Sequence, residues 1–274
     1  MKPNARAELF RKLHDRAKIL VLPNAWDVAS ARIFEEAGFP AIATTSAGIA
    51  ASLGYPDRER ISRGEMAKAV ARIAAAVKVP VSADMEAGYG PIPRAVSQTV
   101  QAAIEAGAVG VNLEDATGDR VRPLFEVEAQ VDRIHHAREA AKREGVALFI
   151  NARTDVFLVE GADNSKIDRT LLRARAYLKA GADGIFVPGL SDREQIRILA
   201  KAIPGPLNVL ATPGLPPAAE LQELGVARLS IGSGGMRAAL AAARRVAQEL
   251  KTAGTFTAEA VPYAELNALL DRRS

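Results

Sequence analysis

One phrase returns along this chain and restricts what it can fold into. An amphipathic helix ends in Ala-Gly or a close variant, and a short apolar run follows. Glu36-Ala-Gly-Phe-Pro-Ala-Ile-Ala is one copy and Glu105-Ala-Gly-Ala-Val-Gly-Val-Asn another; Lys179-Ala-Gly-Ala-Asp-Gly-Ile-Phe and Glu223-Leu-Gly-Val-Ala-Arg-Leu-Ser continue the series. Glycine just past a helix supplies a left-handed cap, and a strand buried on both faces reads as an unbroken apolar run. Helices alternating with such runs build a parallel sheet. The runs are Ile19–Pro23, Ala41–Thr45, Val79–Ala83, Gly110–Leu113, Ala147–Asn151, Gly184–Val187, Leu207–Leu210 and Arg228–Ile231. Eight strands with helices between them predict a closed α/β barrel of the (β/α)8 TIM type rather than an open sheet, and 274 residues suit one such barrel. No linker or charge block divides the chain, so residues 1–274 are expected to form a single domain, with 236–274 as its C-terminal helical segment. The long stretch from Ser46 to Lys78 leaves room for an extended loop around Tyr55-Pro-Asp57.

Composition removes several function classes. With no cysteine, the chain has no disulfide, thiolate ligand or cysteine nucleophile. No run approaches the roughly 18 apolar residues of a membrane span, and Met1-Lys-Pro-Asn-Ala-Arg lacks a signal segment. The cytoplasm is the expected compartment, with no membrane partner. Aromatic residues make up only 5% of the chain, too few for the stacking platforms of a single-strand nucleic-acid binder. The net charge of +4 comes from scattered basic residues, such as Arg244-Arg245 and Arg272-Arg273. That surplus is mostly solvated surface, and it suits a small anionic partner.

In such a barrel the βα loops at the C-terminal strand ends carry the site. Asp84 and Glu86 follow the third run and Glu114 the fourth. Three carboxylates in one mouth repel each other unless a cation or protonation relieves them. With no Cys, and no His at a strand end, oxygen ligands point to a hard cation, Mg²⁺ with Mn²⁺ as substitute. The competing reading is helix capping, which applies equally to Asp27, Asp115 and Asp155. Arg153 ends the fifth run, where it can grip a carboxylate or phosphonate in two parallel hydrogen bonds, pair with Glu114, or do both. Ser46-Ala47-Gly48 offers a hydroxyl and backbone N–H groups, a nest for a carboxylate. His14, His135 and His136 lie in helical surroundings, as packing or surface residues, and Trp26 reads as packing or lid.

With these residues in place the chain resembles the isocitrate lyase/phosphoenolpyruvate mutase superfamily from about Val21 to Gly234. The resemblance rests on Leu22-Pro-Asn-Ala-Trp-Asp27, Thr44-Thr-Ser-Ala-Gly48, Leu53-Gly-Tyr-Pro-Asp57, Asp84-Met-Glu-Ala-Gly-Tyr-Gly90, Asn112-Leu-Glu-Asp115 and Asn151-Ala-Arg-Thr-Asp155. It implies a Mg²⁺-dependent lyase that cleaves a C–C bond in a 2-oxo acid or substituted malate through an enolate. A phosphonomutase working on a P–C bond is the alternative, and a silent oxo-acid-binding protein a third. It also implies that Asp84 holds the metal directly, with Glu86 and Glu114 binding directly or through water. Ser46, Ala47 and Gly48 would contact the substrate carboxylate and enolate. Asp57 would stand beside the reacting group, and Arg153 and Asn208 would bind substrate. A homotetramer is implied too, exchanging the helix near Met236–Lys251 between neighbours, with Thr255–Ser274 in that contact.

The chain also departs from this pattern. The lyases carry a cysteine proton donor in a loop after strand four, and the mutases a lysine and an asparagine. Here Asp115–Phe125 offers Thr117, Arg120 and Arg122, with neither Cys nor His. Strand six ends in Val187-Pro188-Gly189 where relatives often have Glu or His, and Glu86 replaces an aspartate. Isocitrate or methylisocitrate cleavage by the usual route is therefore not expected.

Overall fold

The computed structural model describes residues 3–159 and 165–271, so Arg272 and Arg273 lie outside the described residues. The strands are β1 (Leu20–Leu22), β2 (Asn24–Ala25), β3 (Ile42–Thr44), β4 (Val81–Asp84), β5 (Gly110–Glu114), β6 (Phe149–Arg153), β7 (Gly184–Val187), β8 (Leu207–Leu210) and β9 (Arg228–Ser230). Every pairing between these strands is parallel. β1 and β2 are halves of one strand, parted at Pro23: β1 pairs with β9 and β2 with β3, so the sheet closes on itself as the expected (β/α)8 barrel.

The helices are α1 (Pro3–Lys12), α2 (Val28–Glu36), α3 (Ser46–Ser52), α4 (Arg63–Ala76), α5 (Pro93–Glu105), α6 (Val127–Arg143), α7 (Lys166–Lys179), α8 (Arg193–Ala202), α9 (Ala218–Glu223), α10 (Gly234–Ala253) and α11 (Tyr263–Asp271). Gly107 and Gly225 end α5 and α9 with φ of 89° and 91°, the left-handed caps that the repeated phrase predicts. Asp27 is a helix cap, in a reciprocal box with Ser30.

Two strands, β4 and β6, start two residues later than the apolar runs suggest. Lys78 and Val79 donate their N–H groups to Glu35 Oε1 (2.6 and 3.3 Å), and Ala147 donates to Asn4 Oδ1 (3.0 Å). Side-chain acceptors thus take the first residues out of the ladder, and β6 runs on to Arg153.

The larger core lies between the sheet and the helices around it. A smaller one fills the lower lumen, where α1 plugs the barrel with Phe10, packed with Leu20, Leu22, Ala43 and Phe149. A Cβ on Gly110 would stand 2.7 Å from the Phe10 ring, so the plug requires glycine there. His14 belongs to the same packing, stacked on Phe149 at 3.9 Å. Burial first, then Arg228, push its pKa down to about 3, so it is neutral at ordinary pH.

In α10 only Met236 is buried, while Leu240 and Leu250 are 56% and 51% exposed, leaving an apolar face uncovered by its own barrel. Among the described residues no helix is long and apolar enough to cross a membrane.

Candidate active site

The C-terminal mouth collects most of the residues picked out by strand-end position. Asp84 ends β4, Glu114 ends β5, Arg153 ends β6, and Ser46, Ala47 and Gly48 open α3 directly after β3. Asp57 sits in the loop between α3 and α4, within the field of both Asp84 and Arg153. The Ser46 N–H and hydroxyl both donate to Asp84 Oδ2, at 3.1 and 2.8 Å. Thr45 caps α3, its Oγ1 accepting from the Gly48 N–H, and a Cβ on Gly48 would lie 2.8 Å from Trp26 Cβ, so the close approach of α3 requires glycine. Asn208 lies lower, inside β8, where its Oδ1 accepts from Ser230 Oγ at 3.1 Å.

The three expected metal ligands are unequal. Asp84 Oδ1 is buried and has no hydrogen-bond partner among the described residues. A buried carboxylate oxygen left without a donor is costly unless something positive meets it, and this orphan is the observation that fits a cation. Glu86 has both oxygens taken, one by the Glu59 N–H and one by the Tyr89 hydroxyl (2.9 Å). Glu114 is held by Arg153 at 2.7 Å. Among the described residues no three acidic or His side chains are close enough to enclose an ion by themselves. One free carboxylate oxygen amid further acids suits a cation that keeps several of its waters.

The charges are tuned against each other. Arg153 donates to Asp155 in two bonds, at 2.6 and 2.9 Å, as well as to Glu114. Burial disfavours its charge, but Glu114 and Asp155 outweigh burial and hold the guanidinium above its usual range. Asp155 is thus an arginine clamp rather than a helix cap. Desolvation pushes Glu114 well up, against the pull of Arg153. Desolvation also raises Asp57, and Asp84 adds to that rise. Glu86 is raised to about 7, first by burial and then by Asp84.

This last shift gives a pH dependence. Between its ordinary value near 4.5 and about 7, folded Glu86 binds its proton more tightly than the unfolded chain does. Metal-free protein should therefore lose stability as pH rises through that window, by on the order of 1–3 kcal/mol from this group. Urea unfolding from pH 4 to 8 reads the slope, which Glu86→Gln should flatten; an unchanged slope in that variant would assign the dependence elsewhere.

Around these acids lies a strained and braced pair of loops. Arg58, Glu59, Glu86 and Tyr89 adopt left-handed φ of 77°, 53°, 50° and 56°. Non-glycine residues rarely do so, and such strain gathers at functional sites. The two loops they belong to are latched together, since Tyr89 N–H also donates to Glu59 Oε1 at 2.6 Å. Behind the latch Arg133 donates to Gly90 O (2.7 Å) and Ala87 O, and its neighbour Gln130 reaches Glu114 O at 3.2 Å. Asp115 is fully buried against Arg173 and Tyr177 and accepts from Asp155 N–H, a brace rather than a cap. Two of these had a legible signal: Gln130 and Arg133 fall on the buried stripe of α6 with Ile134 and Ala137. Polar residues on an apolar stripe need buried partners. Arg120 and Arg122 stand exposed on the loop after β5.

Comparison with known proteins agrees with this architecture. Residues 10–251 match the family described as phosphoenolpyruvate phosphomutase. A solved Burkholderia cenocepacia J2315 structure, provisionally described as a lyase/mutase, is 41% identical with a TM-score of 0.91, covering 97% of this chain and 95% of that one. An oxaloacetate decarboxylase from Bradyrhizobium sp. is 30% identical over 98% of this chain and 94% of its own length. The structure of a 2,3-dimethylmalate lyase, itself described as a PEP mutase/isocitrate lyase superfamily member, is 28% identical with a TM-score of 0.84, covering 97% and 94%. The closed parallel barrel, the acids at its mouth and these matches together place the chain in the phosphoenolpyruvate phosphomutase family of the isocitrate lyase/PEP mutase superfamily.

Proposed function

We propose that this protein is a Mg²⁺-dependent lyase acting on a small 2-oxo acid or substituted malate, breaking a C–C bond next to an enolate. The observation that carries this reading is the buried, partnerless Oδ1 of Asp84 at the barrel mouth. Relatives named for oxaloacetate and dimethylmalate support the substrate class, since both names denote small diacids. Asp84 would hold the metal directly, with Glu86 and Glu114 acting through water. The bound ion would supply Lewis-acid stabilisation to a developing enolate oxygen.

The remaining work falls to the chain itself. Ser46 fixes the Asp84 carboxylate by two hydrogen bonds, leaving Oδ1 free. Ala47 and Gly48 would border the substrate carboxylate. Arg153, already neutralised by Glu114 and Asp155, would share its guanidinium with an anionic substrate and hold Glu114 in place. Asp57, whose carboxyl desolvation raises, would stand beside the reacting group. Arg120 and Arg122 would close over the anion from their exposed loop. The uncovered apolar face of α10 supports a homo-oligomer, a tetramer with this helix exchanged between copies.

Isothermal titration with oxalate, an enolate mimic, tests the reading. Wild type should bind oxalate only with Mg²⁺, and Asp84→Ala, checked for folding by circular dichroism, should lose at least about a hundredfold in affinity. Oxalate binding indifferent to both metal and mutation would overturn it. The matching family is named for a phosphomutase, which keeps P–C chemistry as a second reading. Phosphorus-31 NMR with phosphonate substrates separates the two, because P–C and P–O phosphorus resonate far apart. Tight oxalate binding without turnover of any 2-oxo acid, malate or phosphonate would make the chain a binding protein.

A further inference from the structure

The last strand carries a charge that the site described so far does not use. Arg228, the first residue of β9, has no exposed surface. Alternation along the strand puts Arg228 and Ser230 on the lumen side. Arg228 Nε donates to Ser230 Oγ at 3.2 Å. Ser230 lies two residues nearer the C-terminal mouth, so the side chain runs up the lumen towards the active site. Neither terminal guanidinium nitrogen has a hydrogen-bond partner among the described residues, and neither does Nδ2 of the adjacent Asn208. Burial draws the Arg228 guanidinium down to about 9, opposed by the field of Asp84, so it is still a cation at neutral pH.

A buried cation with free donors is expensive, and an apolar side chain of similar length would fill the space without that penalty. Chains break such local rules mainly where function requires it. The carboxylate that acts on Arg228 is the one whose own Oδ1 is an orphan, Asp84. Two opposite charges, each with unused hydrogen-bonding capacity, therefore act on one another below the mouth.

We propose that Arg228 is a positioning residue for the charge balance of the active site, weakening its hold on a bare divalent cation and strengthening its hold on the dianion that joins the cation. The inference rests on the metal and oxo-acid reading of the site. The physical ground is Coulombic. In a lumen that excludes water, a fixed positive charge is poorly screened, repels a bare dication and attracts a dianion in like measure. A neutral metal–dianion pair feels little of it. Arg228 thus shifts affinity from the metal step to the anion step, so that free metal does not fill the site before substrate arrives.

The test is calorimetric titration of the full-length protein with Mg²⁺ alone, and with oxalate at saturating Mg²⁺, on wild type, Arg228→Met and Arg228→Lys. For Arg228→Met, Mg²⁺ should bind roughly tenfold or more tightly and oxalate more weakly by a similar factor. Arg228→Lys, which keeps the charge, should stay near wild type in both titrations. A residue that merely held the barrel together would weaken both steps on removal. The inference is overturned if both steps weaken together, if neither moves, or if Lys behaves like Met. It is also overturned if Arg228→Met unfolds at lower urea than wild type without metal, because the arginine would then be structural. Wild type that binds neither Mg²⁺ nor oxalate would instead bring down the metal reading, and this inference with it.

Discussion

Arg153→Met is expected to destabilise the protein by about 3 kcal/mol at pH 8, and by clearly less at pH 5, while removing Mg²⁺-dependent oxalate binding. The guanidinium stands between Glu114 and Asp155 and touches both, with side-chain exposures of 21%, 15% and 11% respectively. Methionine fills much of the same space but leaves two largely buried carboxylates without a counter-charge. Breaking a buried ion pair from one side costs more than the pair contributes, because the stranded charge stays desolvated. Protonation offers relief, and burial has already pushed Glu114 well up. Acid should therefore neutralise the stranded carboxylates in the variant and shrink its deficit, which fixes the sign of the pH effect. Urea unfolding of wild type and variant at the two pH values measures it. Arg153→Lys should recover only part of the loss, since an ammonium cannot make the bidentate contact with Asp155 and reach Glu114 together. A deficit below about 1 kcal/mol, or one independent of pH, would mean that Arg153 is not the keystone of this triad.

Arg133→Met should cost about 2–4 kcal/mol and lower Mg²⁺–oxalate affinity by at least about tenfold, without touching any candidate ligand. Arg133 is 2% exposed and lies over the Phe125 ring at 4.2 Å. Its two carbonyl contacts, on Ala87 and Gly90, hold the loop in which Glu86 and Tyr89 take left-handed conformations. Such a loop persists only when its surroundings over-determine it. Without the guanidinium both carbonyls lose their donor, and the latch from Tyr89 and Glu86 to Glu59 should loosen. Hydrogen exchange in metal-free protein gives a readout free of ligand binding: the Glu59 and Tyr89 amides should exchange faster in Arg133→Met, and Arg133→Lys should fall between. Unchanged exchange through residues 85–90 would show that the loop holds itself.

How far the sequence reaches can be judged from such residues. The repeated helix–glycine–strand phrase specifies a parallel barrel because both periodicities, and the caps between them, are local. Short βα connections then tie Asp84, Glu114 and Arg153 to strand ends, and strand ends to one mouth. This linkage makes the candidate site legible without coordinates. The plug made by α1 was not legible, since a short amphipathic helix before the first strand packs equally well on many surfaces. Nor was the use of each polar group. Position alone assigns Ser46 to a substrate carboxylate, yet it spends both donors on Asp84, 38 residues away. Glu86 is closed off by Glu59, 27 residues back, and Asp115 finds Tyr177 62 residues on.

The sequence by itself therefore determined which elements form, and which chemistry-bearing residues arrive at the mouth. The tertiary structure alone decided which carboxylate oxygen stays free, which charges neutralise one another, and which buried arginines stand behind them. The reason is physical. Secondary structure follows from spacing over a few residues, whereas hydrogen bonds and desolvation depend on distances of about 3 Å between segments far apart in the chain, and no spacing in the sequence encodes those distances.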